Sequence, residues 1–357
     1  MVISRRAGGG SWRARGVCQA VLCLLVLTAR VPGQTADRSP RTFLTRHLAF
    51  TEKQFRQAEE GRPVVKSLET GLDREVAIFG IIRVGAGIET FLDQFRDIEQ
   101  FERGAGVLQI RKISDPPLLS DFSDLTLPDD DLEALPRCRI GDCLMKVDEY
   151  ALRRYQTEID WSRPDAHAQA NALTRQLLLE AVVSYQQGGN KALGQLRDQQ
   201  RPTFIGDEFI GMLEHSPYLP EYVPELDSYL REYPASRPAR VEEFFYWSKV
   251  NFGLRDTVRV NHVVVYRSPN ATSDVAIASK MLYASHYFHT ALDLRYLTQD
   301  PARPGEPGFY LMVLLRSRSD GLSGALGWMV RRRAVKSSTE GLASYLRSVK
   351  RNLERPR

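Results

Sequence analysis

The chain has 357 residues and a formal charge of +5, from 49 Lys and Arg against 44 Asp and Glu. Residues 1–36 hold five Arg and no acidic residue, so the remainder carries 44 of each and no net charge. The basic balance therefore belongs to the N-terminal segment, which removes the main support for a nucleic-acid partner.

That segment reads as a secretory signal peptide. Arg5, Arg6, Arg13 and Arg15 precede an almost wholly apolar run over 17–29, and "RVPGQTA" supplies small residues for cleavage. The run is too short and wrongly flanked for a membrane span, and no later run reaches spanning length. The expectation is an exported protein, periplasmic or secreted, soluble or at most tethered. Its roughly 320 remaining residues suit one large domain or two ordinary ones.

The elements follow in chain order. Residues 37–63 are expected to hold an N-terminal helix, with Phe43, Leu44, His47, Leu48 and Phe55 at helical spacing and "EGRP" as its stop. "REVAIFGIIRV" (74–84) reads as a buried strand. "IETFLDQFRDIEQF" is an amphipathic helix, and "GVLQIRKIS" (106–114) returns as a strand, giving a β-α-β opening. From about 129 to 250 the apolar spacing is mostly helical. Asp129, Asp130 and Asp131 start a helix and lack the alternating pattern of a calcium loop. A long helix runs from near Pro164 to Gln187, with Leu173, Leu177, Ala181 and Ser184 on one stripe and Gly188-Gly189 as its stop.

The C-terminal third returns to strands. In "TVRVNHVVVYR" (257–267), Val258, Val260, His262, Val264 and Tyr266 share one face of a half-buried strand. "GFYLMVLLRS" (308–317) is a second buried strand. The closing helix is expected from Ser337 and Glu340, at capping-box spacing, through an apolar face of Leu342, Tyr345, Leu346, Val349 and Leu353.

Catalytic signatures come close and fail. "VGAGIET" has Thr90 where a dinucleotide fingerprint needs its third Gly or Ala. "GLSGA" around Ser323 ends in Ala325 rather than Gly, and no His follows it. The six histidines show no zinc spacing, and no phosphate-binding G-x-x-x-x-G-K occurs. Catalytic residues, metal ligands and cofactors are therefore assigned to none. In "MLYASHYFHTALDLRYL", His286 and His289 would share one face of a helix but opposite faces of a strand. The flanking strands favour two strands with a break near Asp293, which places His286 on a face with Leu282 and Phe288 and removes a shared metal. His262 and His286 then read as hydrogen-bonded core histidines. Cys138 and Cys143 in "RCRIGDC" remain beyond the signal and are expected to form a structural disulfide around a Gly-containing turn.

The order strand, helix, strand, later strands and long terminal helix resembles the helix-grip fold of START-type lipid-binding domains. The likeness is densest in "YLMVLLRSRSDGLSGALGWMVRRRAVKSSTEGLASYLRSVKRNL". It covers about 65–115 and 255–353, and 120–250 departs from it as a helical insertion. The chain is also similar to secreted bacterial proteins without an assigned activity, which implies the compartment alone.

The resulting expectation is an α+β fold. A helix-grip-like antiparallel sheet with a long C-terminal helix would span 64–357, as 64–119 and 251–357 around a large helical insertion, 120–250. The resemblance implies a cavity under the C-terminal helix that holds an apolar small molecule or lipid without catalysis. His262, Tyr266, Leu282, His286 and Phe288 are its candidate wall. The alternatives are an exported hydrolase with dispersed catalytic residues and a scaffold whose insertion docks a protein partner. Finally, 331–357 holds nine basic residues against Glu340 and Glu354. Trp328 with Arg331, Arg332 and Arg333 is accordingly a candidate contact for an anionic membrane surface.

Overall fold

The computed structural model describes residues 40–355 except 105, 217, 254, 269–273, 300–302, 304 and 323–325. The segment read as a signal peptide, and Ser323 with Ala325, thus lie outside the described residues. The expected N-terminal helix is two helices, α1 (Pro40–Leu48) and α2 (Glu52–Glu59). Ala49 takes a positive φ of 47°, and the chain restarts on a capping box between Thr51 and Gln54. The box satisfies backbone donors that a continuous helix would have satisfied itself.

Strands β1 (Val64–Leu68) and β2 (Glu75–Val84) form a hairpin. Two short helices follow, α3 (Ile88–Arg96) and α4 (Ile98–Phe101), broken where the Asp97 side chain caps α4. The chain then enters β3 (Val107–Ile113). These do not make a β-α-β unit. β2 and β3 stand six strands apart in one eight-stranded antiparallel sheet, and α3–α4 carry the chain across its face. The meander β6 (Val241–Asn251), β7 (Asp256–Arg267), β8 (Val275–Ala284), β9 (Phe288–Gln299) and β10 (Phe309–Ser319) fills the gap. The strand order is β1-β2-β10-β9-β8-β7-β6-β3. The final helix, α11 (Gly327–Leu353), completes the helix-grip-like α+β arrangement.

Both faces of the sheet are covered, which is why its strands read as continuous apolar runs. Ile78 and Ile82 of β2, with Val263 and Val265 of β7, pack in a core with Phe91, Phe95, Leu342 and Leu346 from α3 and α11. Val258, Val260, Val264 and Tyr266 of β7 face the other way, into the helical layer. β7 is therefore buried on both sides rather than half-buried, and the insertion is the reason. That layer holds α5 (Asp129–Ala134), α6 (Glu149–Thr157), α7 (Ala166–Gly188), a two-residue pair β4 (Gln195–Leu196) and β5 (Thr203–Phe204), then α8 (Ile205–Glu214), α9 (Tyr218–Tyr222) and α10 (Pro224–Glu232). The strand β6 begins inside the stretch expected to be helical to residue 250.

Two stripes differ from expectation. α7 buries Leu173, Thr174, Leu178, Val182 and Tyr185, leaving Ala181 and Ser184 exposed. α11 begins ten residues before Ser337, although its buried residues Leu342, Leu346, Val349 and Leu353 are those expected. Gly80 seats that half of α11 on the sheet. A Cβ there would stand 2.8 Å from Leu346 Cδ1 and 2.9 Å from Leu342 Cδ2.

Candidate functional site

The expected wall does not assemble beneath α11. His262, Tyr266 and Leu282 project from the opposite face of the sheet, into the core built with the insertion. The break between β8 and β9 falls at residues 285–287 rather than near Asp293, so His286 sits in the turn and shares no strand face with Leu282. Phe288 starts β9, with its ring 5.2 Å from that of Phe252. Where α11 crosses β2, Gly80 lets the helix lie directly on the sheet, and nothing is held between them at that contact.

The space lies on the insertion side. A cavity of about 450 Å³ has Val260, Leu282 and Tyr283 of the sheet as its floor. α7 supplies one wall through Leu177, Leu178 and Ala181, α6 another through Tyr155, and the segments 145–148 and 192–196 close the rest. Its volume falls in the range of small-molecule sites. A second, apolar recess among Phe43, Tyr218, Leu226 and Met312 is only about 80 Å³, room for a few waters at most.

Several polar groups around the larger cavity are bonded within the protein. Tyr155 Oη and Thr174 Oγ1 are 2.7 Å apart, and burial pushes the Tyr155 phenol up to about 12. Tyr283 Oη donates to the Lys146 carbonyl at 2.9 Å. Asp148 Oδ1 caps α6 by accepting from the Ala151 amide at 2.6 Å. Glu180 accepts from Arg154 at 3.0 and 3.1 Å. The lining is apolar in the larger part, with polar atoms of Asp148, Glu180 and Ser184 among it.

Three polar systems tie the sheet to the helical layer. Lys146 Nζ is 3.3 Å from Asp198 Oδ2 and is also bonded to Asp320, which in turn bonds His289. Burial raises Asp198, whereas Asp320 is held low by His289 and Lys146 although burial opposes it. Beside them His286 Nε2 bonds Asp131 Oδ2 at 3.0 Å, with both side chains almost wholly buried. The turn between them strains Tyr287 to a φ of 63°, and its phenol accepts from the Arg255 amide at 2.9 Å. The third system centres on His262, whose Nδ1 lies 3.2 Å from Tyr185 Oη and whose Nε2 lies 3.2 Å from Glu243 Oε2. Tyr229 donates to that Glu243 oxygen at 2.6 Å, and Arg237 also binds the carboxylate. Burial acts to raise Glu243, but His262, Tyr229 and Arg237 hold it at about 2. Beyond Tyr185 lies Lys280, fully buried, bonded to Asn190 and 3.3 Å from the Tyr185 phenol. Desolvation lowers the pKa of both His262 and Lys280.

His262 is thus a satisfied core histidine that ties the insertion to the sheet, and Tyr266 does the same by donating to Glu225 at 3.0 Å. Leu282 alone of the five candidates lines the cavity. Sequence reading passed over Lys146, Asp198, Asp320 and Lys280. A lone Lys in the apolar run of β8 was the available signal for the last. The two His–Asp pairs resemble general-base pairs, and Ser285, which precedes His286, accepts the Val258 amide through Oγ at 3.0 Å. Cys138 and Cys143 form a disulfide, and its loop bonds the segment 197–198 through the Gly141 and Cys143 amides. Among the described residues no group of three or more His, Cys, Asp or Glu stands as a metal site, and no helix is long and apolar enough to cross a membrane.

Set against family models and against curated proteins, the chain matches none.

Proposed function

We propose that this protein is an exported, non-catalytic binder of a small apolar molecule, held between the sheet and the helical insertion. The supporting observation is the cavity of about 450 Å³, lined mainly by apolar groups, in which Tyr155, Thr174 and Tyr283 are already bonded within the protein. An occupant there gains by desolvating apolar surface, about 25 cal/mol per Å², and meets few groups that demand a polar partner. Export is supported by the charge and apolar pattern of residues 1–36 and by the disulfide, which persists in an oxidising compartment.

Ala181 is an exposed wall position, so a large side chain there fills the cavity without entering the core. Ala181→Trp is expected to weaken Nile red binding at least tenfold while the melting temperature stays unchanged. Solvent extraction of protein from its native host should release an apolar compound from the wild type and not from the variant. Undiminished dye binding by a folded Ala181→Trp protein would remove the cavity from the proposal.

A further inference from the structure

We infer that the N-terminal turn of α11 docks on a bilayer surface carrying anionic headgroups. This does not rest on the cavity: it follows from what the turn exposes. Leu326, Trp328, Met329 and Val330 are 67%, 61%, 51% and 47% exposed, four large apolar side chains within five positions. Consecutive residues on a helix point about 100° apart, so these side chains radiate as a knob rather than forming a stripe. A groove in a protein partner takes a stripe, whereas the soft interfacial region of a bilayer takes a knob. Trp is the side chain most at home at that depth.

Charge decides the occupant. From Gly327 to Lys336 the helix carries three Arg and one Lys, and its first acidic residue is Glu340. Cations at a helix N-terminus oppose the macrodipole, so their placement adds nothing to the helix itself. Arg331 is accounted for separately. It donates to the Asp73 carbonyl at 3.0 Å and to that of Glu75, which pins the turn to the start of β2. Arg332, Arg333 and Lys336 are left exposed around the apolar knob. A second copy meeting this surface across a two-fold axis would set like charge against like charge. An anionic lipid surface relieves the repulsion and receives the apolar side chains together.

The test is co-sedimentation of the full chain with vesicles of phosphatidylcholine alone and of equimolar phosphatidylcholine and phosphatidylglycerol. Binding is expected on the anionic vesicles and is expected to weaken with salt. Each surface-proximal charge is worth about fivefold in partitioning, so Arg332→Gln with Arg333→Gln should weaken anionic binding about 25-fold. Trp328→Ala with Met329→Ser should weaken it at least tenfold at high salt too, and should abolish the blue shift of tryptophan emission on vesicle addition. Both double variants alter exposed positions and should melt like the wild type. Arg331→Gln should instead lower the melting temperature. Wild type that stays in the supernatant, or double variants that sediment as it does, overturns the inference. So does a Trp328-dependent dimer in sedimentation velocity with vesicle binding unchanged, which would give the knob to a second copy.

Discussion

Lys280 shows how a single residue records its surroundings. Its ammonium would lie over the rings of Phe209 and Tyr185, at 4.1 and 4.7 Å, with no carboxylate bonded to it among the described contacts. Desolvation therefore dominates, and the folded pKa lies well below that of a free lysine. The folded state then binds fewer protons than the unfolded chain. This residue's contribution to stability accordingly increases as pH rises toward the unfolded value of about 10.4. The slope cannot exceed about 1.4 kcal/mol per pH unit for one proton. Lys280→Met should flatten the rise in stability below pH 10 relative to wild type, as read from urea unfolding across that range. At neutral pH the variant escapes the cost of stripping or burying that proton, offset in part by the donor that Asn190 loses. Parallel pH profiles for the two proteins would mean that the buried amine stays charged.

Gly80 plays the corresponding part between elements. Its missing side chain lets Leu342 and Leu346 of α11 reach the sheet. Gly80→Val should cost about 1–3 kcal/mol by overpacking, measured by thermal or urea unfolding. Leu346→Ala in the same chain should recover part of that loss, since it removes the clashing methyl groups. Neighbouring elements also show where sequence was informative. The strands β2, β3, β7 and β10 and the helix α7 could be read because apolar runs and Gly-Gly stops are local signals. The β8–β9 turn could not, because "SHY" has no Gly or Pro. Its strained Tyr287 is held by a phenol contact to Arg255 and by the His286–Asp131 pair, partners distant in sequence. The early start of α11 was hidden for a related reason, since exposed Trp328, Met329 and Val330 break any amphipathic pattern. The buried stripe of α7 was misread by one residue because two walls compete for that helix. The cavity itself was illegible, its surfaces coming from segments that only the fold brings together.

Across the whole molecule, the sheet sandwiched between α11 and the insertion decides which groups can meet. A resemblance limited to strand and helix order placed the α+β framework with its long terminal helix, and the spacing of two cysteines placed the disulfide. It could not say that the insertion would cover the second face and take His262 and Leu282 with it. The same strand order governs when the protein can become itself. β2 lies between β1 and β10, and Arg316 of β10 reaches Glu75 across 241 residues of sequence. Until β10 and α11 have been made, β2 has one open edge, no helix over Ile78 and Ile82, and a carboxylate whose burial awaits Arg316 and Arg318. Such long-range pairing makes folding slow. For an exported chain, as we propose this one to be, slowness is useful: the sheet closes only after β10 and α11 have emerged. Chains arrested before Phe309 are expected to remain protease-sensitive throughout 64–299, and resistance should arrive abruptly once α11 is complete.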